Sequence, residues 1–159
     1  MPKAPSSGIT ARLALATDGA RISSLLEVFR RELGYTVETT VPLPISHVGP
    51  LYCVLAEDHE RDDLVVGFLA AYRCHNMVRG VQYVLITDAY VRSEYRRRGV
   101  ATLLMNEALA LGRRLGCQRV SLIVDKNNEG MHATAARAGF TEHSDMLLSC
   151  ELEGGEAAR

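Results

Sequence analysis

Arg92, Arg96, Arg97 and Arg98 crowd the seven residues that precede Gly99. Clustered guanidinium groups beside a glycine are chemistry for an anion. The cations attract phosphate, and a residue without Cβ lets the backbone approach a ligand closely. These groups act together only if the chain brings them to one place, and the flanking residues say how. Val81 to Val91 is rich in β-branched and aromatic residues and reads as a strand. Val100, Leu103, Leu104, Ala108, Leu111 and Leu115 recur at three- and four-residue steps, which is one face of a helix. A strand that feeds a helix through Gly99 leaves unpaired N–H groups at the helix start, where the helix dipole also favours negative charge. Turn and arginines together form an anion cradle.

The spacing Arg96-x-x-Gly99-x-Ala101, preceded by Tyr90-Val91-Arg92-Ser93-Glu94-Tyr95, resembles the acetyl-CoA-binding motif of the GNAT superfamily of N-acetyltransferases. Asn128 followed by Gly139-Phe140 is similar to that family's final helix, which begins near an asparagine and ends in Gly-Phe. The resemblance covers roughly residues 9 to 150. It implies that backbone N–H groups of Arg97, Arg98, Gly99, Val100, Ala101 and Thr102 hold the pyrophosphate of acetyl-CoA, with the Arg96 side chain adding a charged contact. It also implies that the backbone of Ala89, Tyr90 and Val91 pairs with the pantetheine arm as an added strand would. Asn128 is assigned a hydrogen bond to the same arm; read from its neighbours alone it is a helix cap, and the two roles are compatible. Acetyl-CoA is then a co-substrate, and no metal is implied. The acceptor is an amine on a small molecule or a protein, and a homodimer follows from analogy alone.

Moving acetyl from a thioester to an amine requires removal of a proton from the ammonium, a donor for the oxyanion, and a proton for the departing thiolate. Direct attack in a ternary complex needs no protein nucleophile. Polyamine-type relatives, which the layout from Gly80 to Tyr95 resembles, carry an acidic pair on the central strand. Here the two positions are Thr87 and Asp88, so one acid remains. The same relatives carry a tyrosine four residues before the glycine of Gly-Phe, which protonates the sulfur. Here that position is Ala135. Asp88 is therefore expected to be the base or water-positioning group, the alternative being a structural bond to nearby backbone. Strict alternation sets Asp88 on the face of Ile86 and Tyr90, with Thr87 opposite, and a bulge would change that parity. His132 is either a proton donor to the sulfur or an ordinary hydrogen-bonded helix histidine; His75 and Tyr83 are expected near the acceptor mouth. The reading is an acetyl-CoA-dependent N-acetyltransferase, and the alternative is a catalytically weak acyl-CoA-binding regulatory module.

The 159 residues suit one domain, expected over residues 9–152 between a flexible leader at 1–8 and a flexible tail at 153–159. With 18 basic and 19 acidic residues the chain is nearly neutral, which argues against a nucleic-acid partner. No apolar run approaches the ~20 residues of a membrane span, and the start lacks a secretory segment, so a cytoplasmic protein without membrane contact is expected. Cys53, Cys74, Cys117 and Cys150 form no Cys-x-x-Cys pair, which argues against zinc. Strands are expected at Ile9 to Leu15, Leu51 to Glu57, Leu64 to Tyr72, Val81 to Val91, Val120 to Val124 and Met146 to Leu152. Helices are expected from Asp18, as cap, to Leu33, after Gly99, and at Glu129 to Ala138, with a short one around Ile45 to Val48. Meander first and crossovers later argue for a mixed α/β fold. The family resemblance makes this a splayed, mostly antiparallel sheet of six to seven strands flanked by about four helices.

Overall fold

A strand buried along nearly its whole length needs cover on both faces. Strand β2 (Leu51–Asp58) is such a strand, since every residue after Leu51 is buried. In the computed structural model, which describes residues 8–34, 51–143 and 148–149, β2 lies inside a five-stranded sheet of order β1 (Ile9–Leu13), β2, β3 (Leu64–Asn76), β4 (Val81–Val91) and β5 (Arg119–Leu122). The first four strands meander antiparallel, and β5 joins β4 in parallel after a helical crossover. Helix α1 (Gly19–Glu32) covers one face, placing Ile22 and Leu25 against Cys53, Leu55, Val65 and Phe68. Helix α2 (Val100–Arg114) covers the other, placing Val100, Leu104, Met105 and Ala108 against Val54, Val66, Leu69, Val84 and Ile86. Helix α3 (Glu129–Arg137) follows β5. The fold is mixed α/β, with five strands and three helices among the described residues. The expected six to seven strands and about four helices are not matched among these residues. The last expected strand and the helix around Ile45 to Val48 fall outside the described residues, apart from Leu148 and Ser149, which belong to no regular element. The leader (but for Gly8) and the tail also lie outside them.

Two features hold the start of α2 against the sheet. A Cβ on Gly67 of β3 would come within 2.9 Å of the Tyr90 carbonyl oxygen and 3.3 Å of Leu104, so only glycine lets the first turns of α2 settle this close. Tyr95, in the 3-10 turn Ser93–Tyr95, is buried and donates its hydroxyl to Asp58 Oδ2 at 2.8 Å. The loop before Gly99 is thereby anchored to the end of β2.

Asp18 stands at the cap position of α1, as expected, but its carboxylate does not bond the helix backbone. It accepts from the Leu15 N–H at 2.8 Å and from Arg12 and Arg21. The same two arginines bond Glu57 of β2, and both carboxylates are almost wholly buried. Hydrogen bonds from Arg12, then from the Leu15 N–H, hold the Asp18 carboxyl well below its usual range against the cost of burial. For Glu57 burial pushes upward, but the bonds from Arg12 and Arg21 outweigh it and the net direction is down. Carboxyls that are more acidic folded than unfolded stabilise the protein above their unfolded values near ~4, and that stability drains away as pH falls through and below that point. Glu57→Ala, which leaves Arg12 and Arg21 with Asp18 as their one shared carboxylate, is expected to cost about 1–3 kcal/mol in urea unfolding at neutral pH. The difference from the parent should shrink in acid.

Candidate active site

Strand β5 pairs with β4 only from Tyr83 to Ile86, flanked by one bond from the Gln118 N–H to the Gln82 carbonyl and one from the Ile123 N–H to the Ile86 carbonyl, both at 3.0 Å. Beyond Ile86, β4 runs on to Val91 with β3 alone beside it. The two strands therefore part at Ile86, leaving one edge of residues 87 to 91 without a strand partner among the described residues. The Arg92 N–H still bonds the Val66 carbonyl of β3, so the alternate residue Val91 turns its carbonyl the other way, where it accepts from Arg96 Nε at 3.0 Å.

The parting point coincides with a bulge. Ala71 faces Ile86 and Ala70 faces Asp88, so the β3 register skips Thr87. Val84 and Ile86 belong to the core under α2, whereas Tyr90 belongs to the core under α1 and Ala89 and Val91 pack on the α2 side. This corrects the strict alternation read from the sequence. Asp88 shares a face with Tyr90 but not with Ile86, because the extra residue inverts the parity of everything after it. Asp88 is consequently on the α1 side, exposed, and accepts a hydrogen bond from Thr87 Oγ1 at 2.8 Å.

On that side α1 and the sheet enclose a cleft of about 410 Å³. Leu26, Phe29 and Leu33 form the helical wall, Phe68, Ala70 and Tyr72 the sheet wall, and Asp88 and Arg30 supply its charges. Tyr72 was not singled out by the sequence; as one more aromatic residue in an apolar strand it carries no local signal, and only the bulged register brings it beside Asp88. His75 and Tyr83, expected at the acceptor mouth, do not line this cleft. They pair with Gln82 and Cys74 toward the β3–β4 turn, where the Tyr83 ring lies 5.2 Å from Arg119. Cys53 does line the cleft, but burial pushes its thiol up to about 12, which makes it a poor nucleophile near neutral pH.

At the other end of β4 the backbone turns into α2 through two left-handed residues, Arg97 at φ 60° and Gly99 at φ 82°. The first helical bond runs from the Leu103 N–H to the Gly99 carbonyl, so the N–H groups of Val100, Ala101 and Thr102 have no helical acceptor. No side chain caps this end. Arg97 and Arg98 are exposed around the turn, with Arg98 stacked 5.2 Å over the Tyr95 ring. Arg96 is placed differently. Besides Val91 it bonds Glu32 at the end of α1 and lies 5.7 Å over the Tyr90 ring. Tyr90 in turn donates its hydroxyl to Glu32 at 2.7 Å. Burial and then that carboxylate raise the Tyr90 hydroxyl to about 12, and the bond from Tyr90 helps hold Glu32 below its usual range.

Asn128 caps α3 by accepting from the Met131 N–H at 3.0 Å. His132 Nε2 donates to the Asp125 carbonyl at 3.1 Å. Ala135 is buried, and its carbonyl accepts from the Phe140 N–H at 3.0 Å. Among the described residues no three His, Cys, Asp or Glu side chains are grouped to hold a metal, and no helix is long and apolar enough to cross a membrane.

The profile of the Acetyltransferase (GNAT) family matches residues 22–140. No curated protein matched the chain. Among solved structures, an aminoglycoside acetyltransferase from an uncultured soil metagenomic sample, in complex with trehalose, superposes with a TM-score of 0.78 at 14% identity, covering 93% of this chain and 99% of that one. An aminoglycoside N-acetyltransferase in complex with CoA gives 0.73 at 20% identity over 90% and 94%. The ribosomal-protein-alanine N-acetyltransferase of Brucella melitensis biovar Abortus 2308 gives 0.68 at 16% identity over 89% and 99%. At such identities the likeness is one of fold.

Proposed function

The chain belongs to the GNAT acetyltransferase family, and on that premise we propose that it transfers acetyl from acetyl-CoA to a primary amine by direct attack in a ternary complex. The observation that carries the proposal is the parting of β4 from β5 at Ile86 between two sites of opposite character. On one side lies a helix start with three N–H groups unused by the helix, ringed by arginines. On the other lies a cleft with a carboxylate. The N–H groups of Gly99, Val100, Ala101 and Thr102 suit the pyrophosphate, and the left-handed backbone at Arg97 and Gly99 shapes a concave nest for it. We assign the charged contact to Arg97 and Arg98, because Arg96 is engaged with Glu32 and Val91. The partnerless edge at Ala89 and Val91 suits the amides of the pantetheine arm, which would take the Val91 carbonyl in place of Arg96 Nε. The Asn128 side-chain oxygen is used in capping, and its amide N–H groups suit the same arm.

In the reaction the amine nitrogen forms a bond to the acetyl carbon, the carbon–sulfur bond breaks, and the electron pair leaves on the thiolate of CoA. The proton lost from nitrogen passes to Asp88 or to a water it holds, while Thr87 orients that carboxylate through its 2.8 Å bond. The bulge at Thr87 frees a peptide from the ladder beside the reacting carbon, a natural donor to the oxyanion. Buried Ala135, where relatives place a tyrosine, supports a second reading in which the protein binds acyl-CoA and turns over feebly. Thiol release from acetyl-CoA across a panel of amines, run beside calorimetry with CoA, decides between them. The proposal expects both binding and amine-dependent release; tight binding with no release leaves the regulatory module.

A further inference from the structure

The cleft beside Asp88 limits which amine can enter, and for its chemistry the limit rests on the acetyl-transfer reading just given. Its described walls are overwhelmingly apolar, and three aromatic rings, those of Phe29, Phe68 and Tyr72, border it. Asp88 is the one acid among the described lining residues. The other carboxylates of α1 are placed elsewhere: Glu32 bonds Tyr90 and Arg96, and Glu27 pairs with Arg31 at 3.8 Å. A guanidinium, that of Arg30, also lines the cleft and repels further positive charge.

We propose that the acceptor is a primary monoamine carrying an apolar, ring-bearing body. Among the described lining residues one ammonium has one carboxylate to meet, at the place where the two strands part. Each additional ammonium of a polyamine or an aminoglycoside would be desolvated against hydrocarbon and Arg30 without a partner, a costly arrangement. The volume of about 410 Å³ is well above the ~150 Å³ that holds a benzene ring, so an aromatic group with its linker fits. Faces of Phe29, Phe68 and Tyr72 offer such a group stacked or edge-on contacts. The likeness to aminoglycoside-modifying structures therefore extends to the fold and not to the acceptor.

The test compares phenethylamine, spermidine and kanamycin in two assays with the full chain: thiol release from acetyl-CoA, and calorimetric binding in the presence of CoA. The expected result is a kcat/KM for phenethylamine at least ~tenfold above either polycation, with binding ranked the same way. Arg30→Glu should narrow that gap by raising spermidine use several-fold, and Tyr72→Ser, at a partly exposed position, should weaken phenethylamine alone. Preferential acetylation of spermidine or kanamycin by the parent protein overturns the inference while leaving acetyl transfer intact. Preferential binding of phenethylamine without any release supports the inference and overturns only the catalytic reading. Equal binding of all three overturns it as well.

Discussion

Gly99→Val is expected to raise the acetyl-CoA dissociation constant tenfold or more while the protein stays folded. Gly99 sits at φ 82° immediately before α2, and a β-branched residue in that conformation costs about 1–2 kcal/mol. The chain relieves the strain by turning the peptide, and the N–H groups of the first helical turn then lose their common aim. Losing a single charge-assisted hydrogen bond of ~1.5–3 kcal/mol already accounts for at least a tenfold drop. Thermal melting with and without coenzyme A reads the effect directly. The parent protein should be stabilised by ~2.7 kcal/mol at a hundred times the dissociation constant, and the variant by much less at the same concentration. Equal stabilisation of the two would remove the α2 turn from the binding site.

Asp88→Asn is expected to lower kcat about a hundredfold or more, with acetyl-CoA affinity unchanged. The amide keeps the size of the side chain and can still meet Thr87, so folding and the shape of the cleft are preserved. What it removes is the capacity to take a proton and the charge that holds an ammonium. The acceptor KM should therefore rise along with the fall in kcat, a combination that a purely structural aspartate would not produce. Steady-state kinetics over a range of pH checks both effects. Turnover matching the parent at every pH would leave Asp88 without a chemical role.

Most of the regular elements were legible because their patterns are local. The apolar face of α1 and its stop at Gly34 were readable from Ile22, Leu25, Leu26, Phe29 and Leu33, and the helix does end at Glu32, with Gly34 at φ 77° just beyond. The Gly99 turn was readable because glycine, arginines and the switch from strand to helix periodicity coincide within a few residues. What the sequence did not reveal depends on partners far along the chain. Nothing near Thr87 announces that β3 will skip it, so the side on which Asp88 emerges could not be derived from β4 alone. The fate of Arg96 was hidden for the same reason, since its partner Glu32 lies 64 residues away on α1. Leu26, Phe29 and Leu33 looked like core residues; that they line a cleft depends on how far α1 stands off the sheet.

The skipped residue has a consequence for how this protein can change over generations. Up to Ile86, β4 assigns even numbers to one layer of the molecule, and after Thr87 it assigns them to the other. Deleting Thr87 would leave Ile86 opposite Ala71 and Asp88 opposite Ala70, so Tyr90 would stay under α1 and Val91 under α2, and only the kink would be lost. The strand can therefore shed this one residue without moving any other side chain from one layer to the other.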